Sequence, residues 1–253
     1  GYLHWALDER FKIYMDLQMS LFSDLDFALW QHASHDPQVF AGFLETYDPT
    51  FILLSLRQQE FGRRLTEGGT FVPVFLDHAQ VLYVNRTHDP ALAAEYELRA
   101  IDPFGFQTQK LEDTDEQALN AMQAEATKLA QEDPQNYAAH LVLAGIANLR
   151  GQHQQAKTQA DVLLQHYREL PEGYALAGDA FLGLEQHGKA VSSYRKAMRL
   201  GQATKAARVY WNLHLAYARL GHQRKAYRLL SRYVNPFSST AEYREIYQLG
   251  MAA

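Results

Sequence analysis

Several short clusters in this chain combine residue types that could do chemistry. Phe11-Lys-Ile-Tyr-Met-Asp16 alternates like a strand that ends on a carboxylate, and in an open α/β sheet ligands bind beyond the carboxyl ends of strands. The plainer role for Asp16 is a helix cap or a surface charge. His4 and Trp5 could belong to a site near a bilayer, where an indole suits the interface, or could simply pack on the sheet. His32 and His35, with Asp36, have a spacing that lets two imidazoles share a helix face. No third ligand follows and Pro37 ends the helix, so no metal site and no cofactor are expected. Asp77-His78 reads as loop chemistry, since both residue types suit turns. Asn85-Arg86-Thr87 fits the glycosylation acceptor pattern, a three-residue match that arises by chance. The chain contains no G-x-S-x-G, P-loop or dinucleotide fingerprint.

The elements that would position these residues fall into two regimes. Residues 22–34 form an amphipathic helix with Asp24 and Asp26 near its start, and a second helix runs through Val39–Tyr47. Thr50-Phe-Ile-Leu-Leu-Ser55 is a continuous apolar run of strand length, the pattern of a strand buried on both faces. A helix over Gln58–Glu67 stops at Gly68-Gly69. Two strands, 71–76 and 81–84, form a hairpin around Asp77–Gln80, and Pro73 belongs on an edge or at a strand entry. This gives a small α/β domain over 1–99. Residues 100–114 then read as a linker, and a helix spans 115–131.

From there the rhythm changes. Ala156, Ala190 and Ala226 recur at 190 − 156 = 34 and 226 − 190 = 36 residues. Ahead of each stands a bulky residue (His140, Tyr174, Tyr210), then a crossing-point residue (Ala144, Gly178, His214), then a turn with glycine (Gly151, Gly183 and Gly188, Gly221). In these respects residues 115–250 resemble the tetratricopeptide family, whose period is about 34. The resemblance implies helix pairs at about 137–170, 171–204 and 207–235, with a closing helix at 240–249 covering the last pair. His214 and the lengthened connection at 204–206 depart from the pattern. The overall class is therefore α+β, an α/β domain followed by an all-α superhelical array. The resemblance also implies that the first helix of each pair lines a concave groove. It directs Asn148, Glu172, Asp179, Arg208, Trp211 and Arg219 into that groove. Trp211 between two arginines is the kind of anchor that dominates interfaces; its other role is packing under the closing helix. A protein or peptide ligand is the implied partner.

Composition narrows the classes further. The 253 residues are enough for two cores, and 47% hydrophobic content is ordinary for a globular chain. With no cysteine there are no disulfides and no thiolate metal sites. No apolar run reaches membrane-spanning length. The net charge of −5 hides a polarity: residues 1–133 hold 9 Lys+Arg against 22 Asp+Glu, while residues 134–253 hold 15 against 7. The two halves could dock on each other, or the basic half could attract an acidic partner or an anionic membrane. Nucleic acid is not expected, because the cations are dispersed rather than interleaved with stacking aromatics. The opening Gly1-Tyr-Leu-His-Trp5 reads as an internal stretch of a longer protein.

The order GYLHWAL, FKIYMD, TFILLS and TFVPVFLDHAQVLYVN over residues 1–86 is similar to the soluble tails of bacterial polytopic membrane proteins of the oligosaccharyl- and mannosyltransferase type. Gly1–Trp5 match their opening, Asp16 their strand-end aspartate, and Val74-Phe-Leu-Asp77 their closing hairpin. Leu17-Gln18 stands where those tails have Gly-Arg. This resemblance implies a membrane-embedded parent and an extracytoplasmic (periplasmic) location; it does not imply that this segment catalyses anything, and the segment is not expected to be an enzyme by itself. The expected function is a tetratricopeptide binding module in such a protein. The alternatives are a domain completing the site of a glycosyltransferase-like enzyme, and a cytoplasmic scaffold.

Overall fold

The computed structural model describes residues 32–33, 35–107, 111–201 and 207–233. The expected strand at 11–16, almost all of the helix at 22–34 and the closing helix at 240–249 lie outside them, as do His4, Trp5 and Asp16. The chain divides into two compact units. The first takes in residues up to Phe75 together with Ala79–Glu97; the second takes in Leu76–His78 and everything from Leu98 onward.

In the first unit, helix α1 (Pro37–Tyr47) starts where Asp36 accepts hydrogen bonds from the Gln38 and Val39 amides, with proline at the first helical position. Pro37 thus begins a helix two residues earlier than expected. Strand β1 (Phe51–Ser55), helix α2 (Gln59–Glu67), strands β2 (Phe71–Leu76) and β3 (Gln80–Asn85) and helix α3 (Pro90–Tyr96) follow. The sheet order is β1-β3-β2, with β1 antiparallel to β3 in the register Phe51↔Val84 and Leu53↔Leu82. β1 is therefore an edge strand, and Phe51 and Leu53 are 40% and 39% exposed. This corrects the expectation of a strand buried on both faces. Its apolar run is continuous, but Phe51 and Leu53 share a face open to solvent while Leu54 on the other face is buried. β2 is the other edge, which accommodates Pro73, a residue with no amide hydrogen to donate. On one side Phe40 and Phe43 of α1 meet Phe61 of α2 edge-on, at 5.0 and 6.5 Å. Elsewhere Val72, Val74, Val84 and Ala93 form a small core. Helix α3 escaped the sequence reading, although Asp89-Pro90 repeats the Asp36-Pro37 signal: Asp89 caps it by accepting from the Leu92 amide at 2.9 Å.

In the second unit, helix α4 (Glu116–Glu132) leads into three pairs: α5 (Tyr137–Leu149) with α6 (His153–His166), α7 (Pro171–Gly183) with α8 (His187–Leu200), and α9 (Ala207–Arg219) with α10 (Gln223–Tyr233). Asp115 and Asn136 cap α4 and α5. The buried Asn136 also donates from Nδ2 to the Leu76 carbonyl at 2.8 Å. Ala156, Ala190 and Ala226 are all at most 1% exposed, as the recurring alanine requires. Gly178 allows the other close approach: a Cβ there would lie 2.5 to 2.9 Å from the ring of the fully buried Tyr194.

The turns within the pairs contain one departure. Gly151 and Gly221 adopt left-handed backbone (φ 70° and 75°), and the matching residue of the middle pair is Glu185 at φ 59°. Gly183 and Gly188 flank that turn without making it. Gly183 instead leaves room for the His153 ring. A further anchor joins α4 to the segment before it. The Glu125 carboxylate accepts from three consecutive amides, those of Arg99, Ala100 and Ile101, at 2.8 to 3.1 Å.

Candidate functional site

The candidate groove residues sit on the first helices α5, α7 and α9, and three of the six are tied into the stack. Tyr137 of α5 donates from its hydroxyl to Glu172 Oε2 at 3.1 Å. Burial, with the Glu172 charge adding to it, holds this phenol far above the usual tyrosine range. Asn148 donates from Nδ2 to the Leu176 carbonyl at 3.1 Å. Asp179 is the most heavily used: Oδ1 accepts from Tyr194 at 2.6 Å and from Asn212 Nδ2 at 2.8 Å. Its Oδ2 lies 3.2 Å from the Arg208 guanidinium, close enough for an ion pair but not aligned as a hydrogen bond. Tyr194, like Tyr137, is pushed up strongly by burial and then by its carboxylate partner. The Asp179 side chain keeps only 10% of its exposure, so it works as a junction between the second and third pairs.

The other three candidates share one helix and one face. Arg208, Trp211 and Arg219, with Leu215 between them, stand at i, i+3, i+7 and i+11 along α9. The face opposite carries the buried Val209, Tyr210, Leu213 and Ala216. Trp211 is half-buried and stacks on His214 at 5.5 Å. Its indole N–H has no hydrogen-bond partner among the described residues. Arg219 is exposed and has no ion pair among them. Arg208 is half-exposed and divides its charge between Asp179 and solvent. This stripe offers an aromatic face, an aliphatic side chain and guanidinium donors to whatever lies on it, a combination suited to a polypeptide with acidic or carbonyl acceptors.

One groove went unnoticed in the sequence. It has a volume of about 340 Å³ and lies between α4, α5 and α6, walled by Gln123, Thr127, Gln131, Gln152, Gln155 and Gln159. The signal was available: 123, 127 and 131 share one face of α4, and 152, 155 and 159 one face at the start of α6 and along it. His140, at the base, is fixed on both nitrogens. An oxygen acceptor faces each of them: the Pro134 carbonyl lies 2.9 Å from Nε2 and Gln159 Oε1 lies 2.6 Å from Nδ1.

The N-terminal candidates within the described residues have structural roles. Asp36 caps α1, and no group of three or more potential metal ligands occurs among the described residues. His78 packs against Tyr137 and Tyr167 at 6.0 and 5.3 Å. Asn85 is 4% exposed and accepts from the amide and hydroxyl of Thr87, a turn that absorbs the glycosylation pattern.

No family model and no curated protein matches the chain. Among solved structures, it is similar to a crystal structure of MamA, with 20% identity and a TM-score of 0.43 over 47% of this chain and 68% of that one. It is similar to TTC0263, a thermophilic TPR protein of Thermus thermophilus, with 23% identity and a TM-score of 0.45 over 53% and 75%. It is also similar to a MamA fragment (residue 41 to the end) from Desulfovibrio magneticus, with 16% identity and a TM-score of 0.42 over 70% and 81%. All three TM-scores lie below 0.5, so the architecture rests on the chain's own helices and their register. In the second unit those helices form successive helix hairpins; the first unit holds a small three-stranded sheet.

Proposed function

We propose that this chain is a protein- or peptide-binding module without catalysis of its own, and that its recognition surface is the stripe on α9. The observation that carries the reading is the contrast along the first helices. Asn148, Glu172 and Asp179 are consumed by ties within the stack, whereas Trp211 and Arg219 keep an unpartnered indole N–H and an unpaired guanidinium among the described residues. A displayed peptide library selected on the whole chain tests it. Selected peptides should bind the Trp211→Ala, Arg219→Ala variant at least about thirtyfold more weakly, the loss typical of an aromatic hot spot. Equal affinity for both proteins, with the fold intact by circular dichroism, would refute the assignment.

The same reading places the module in the extracytoplasmic part of a membrane protein. Its support is the similarity of residues 1–86 to the tails of glycosyltransferase-like membrane proteins, carried by Gly1–Trp5, Asp16 and Val74–Asp77. Among the described residues no helix is long and apolar enough to cross a membrane, so the spans would belong to the parent. A topology reporter joined after residue 253 in the intact parent should report the extracytoplasmic side. A cytoplasmic signal would overturn this location and leave a cytoplasmic scaffold.

A further inference from the structure

From Glu185 to Glu242 the chain has no acidic residue between the two, yet that interval holds eleven lysines and arginines. On α8 the cations are Lys189, Arg195, Lys196 and Arg199; Arg224 and Lys225 begin those of α10. On α8 the four fall within one third of the helix circumference, opposite the buried Ala190, Val191, Tyr194 and Ala197. On α10 Arg224 and Lys225 likewise lie away from the buried Ala226 and Leu230.

Two features set this apart from an ordinary solvated face. Surfaces that serve only solubility mix both signs, and here Arg195 and Arg199 stand at i, i+4, as do Arg224 and Arg228, like-charge spacings that weaken a helix. The cations are also built in register. Lys189 lies over the Phe181 ring at 5.6 Å, and Lys225, 36 residues on, lies over Tyr217, itself 36 residues beyond Phe181, at 5.9 Å. A third ammonium, that of Lys196, lies over Tyr174 at 5.7 Å. The equivalent positions of the first pair are Ala147 and Gln155, so the charged face belongs to the last two pairs alone. Aromatic faces hold the ammonium groups in fixed places, which readies the surface for a ligand of opposite charge.

We propose that the outward faces of α8 and α10 form a second binding surface, distinct from the α9 stripe, which takes an acidic polypeptide segment rich in Asp and Glu. Arginine forks pair with carboxylates two bonds at a time, and Arg195, Arg199 and Arg224 are all exposed. A polypeptide fits better than nucleic acid or a bilayer. Tyr227 is the one exposed large aromatic of this face among the described residues, whereas strand binders present several rings for stacking and membrane helices present an apolar row.

The test uses the whole chain and a short fluorescent peptide of Glu and Asp, followed by anisotropy. Saturable binding at low salt that fades as salt rises is expected, with Arg195→Glu, Arg199→Glu, Arg224→Glu weakening it about tenfold or more. The triple Gln variant should show a smaller loss in the same direction. Trp211→Ala should leave this affinity unchanged, which separates failure of this surface from failure of the α9 reading. Absence of peptide binding by the wild-type chain would overturn the proposal. So would unchanged affinity in both triple variants with intact circular dichroism, or tighter binding to an oligonucleotide or to phosphatidylglycerol vesicles than to the peptide.

Discussion

Replacing Gly178 by alanine adds one methyl group to a helix, a change that would ordinarily stabilise it by about 1 kcal/mol. Here the new Cβ would stand 2.5, 2.7 and 2.9 Å from three atoms of the Tyr194 ring. The ring cannot retreat freely, because Tyr194 is fully buried and its hydroxyl is held at 2.6 Å by Asp179, which also holds Asn212. Overpacking of this kind costs about 1–3 kcal/mol. Displacing the ring also weakens a hydrogen bond to a charged acceptor, worth about 1.5–3 kcal/mol. After subtracting the helix-propensity gain, Gly178→Ala should destabilise the array by about 2–4 kcal/mol. Urea unfolding followed by circular dichroism should show a midpoint lowered by roughly 1–2 M, given an ordinary urea slope. Two controls isolate the cause. Gly188→Ala meets nothing within 4 Å and should be neutral or slightly stabilising. Tyr194→Phe removes the hydrogen bond while leaving the ring. If Gly178→Ala unfolds at or above the wild-type midpoint, the close helix approach argued for this pair is refuted.

Three further outcomes follow from named contacts. Glu185 occupies the left-handed turn position that glycine fills in the neighbouring pairs, so Glu185→Gly should stabilise the protein by about 0.5–1 kcal/mol; an unchanged or lowered urea midpoint would contradict this. Glu125→Ala strips the acceptor from three consecutive amides and should cost about 2–4 kcal/mol, with Glu125→Gln costing less; equal stability of the two variants would contradict it. Tyr137 and Tyr194 keep their protons in the folded state, through burial first and the neighbouring Glu172 or Asp179 second, while the unfolded chain loses them near pH 10. Stability from these groups is complete below that pH and should fall as pH rises above it, by about 1.4 kcal/mol per pH unit for each tyrosine. Tyr137→Phe should flatten the decline measured by alkaline urea titration.

The repeating alanines carried most of the legible architecture. A small residue is needed wherever two helices of a hairpin approach closely, and the 34- and 36-residue spacings marked those approaches in all three pairs. Caps were legible too, although Asp89-Pro90 was passed over. Burial of β1 was not legible, because a run such as Phe-Ile-Leu-Leu has the same letters on an edge as in the middle of a sheet, and only the neighbours decide. The site was harder to read for a related reason. Asn148, Glu172 and Asp179 have the types and positions of groove ligands, but each found a partner inside the stack. Those partners lay at 172 − 137 = 35, 176 − 148 = 28 and 212 − 179 = 33 residues. Such spacings, one repeat or slightly less, are what contact between successive first helices requires. Polar pairs at that distance distinguish the consumed candidates from those left on α9.

These ties have a mechanical consequence. Tyr137 with Glu172, Asn148 with the Leu176 carbonyl, and Asp179 with Asn212 and Arg208 act like rungs fastening the first helices into a rail. Each rung is directional and short, so the rail resists both stretching and sliding, and a load applied at α9 passes through Asp179 to α7 and through Glu172 to α5. The position of α9 is therefore held from as far away as Tyr137. Cutting the Asp179 rung would remove the ties to Tyr194, Asn212 and Arg208 at once, and α9 would loosen against α7 before any helix melted.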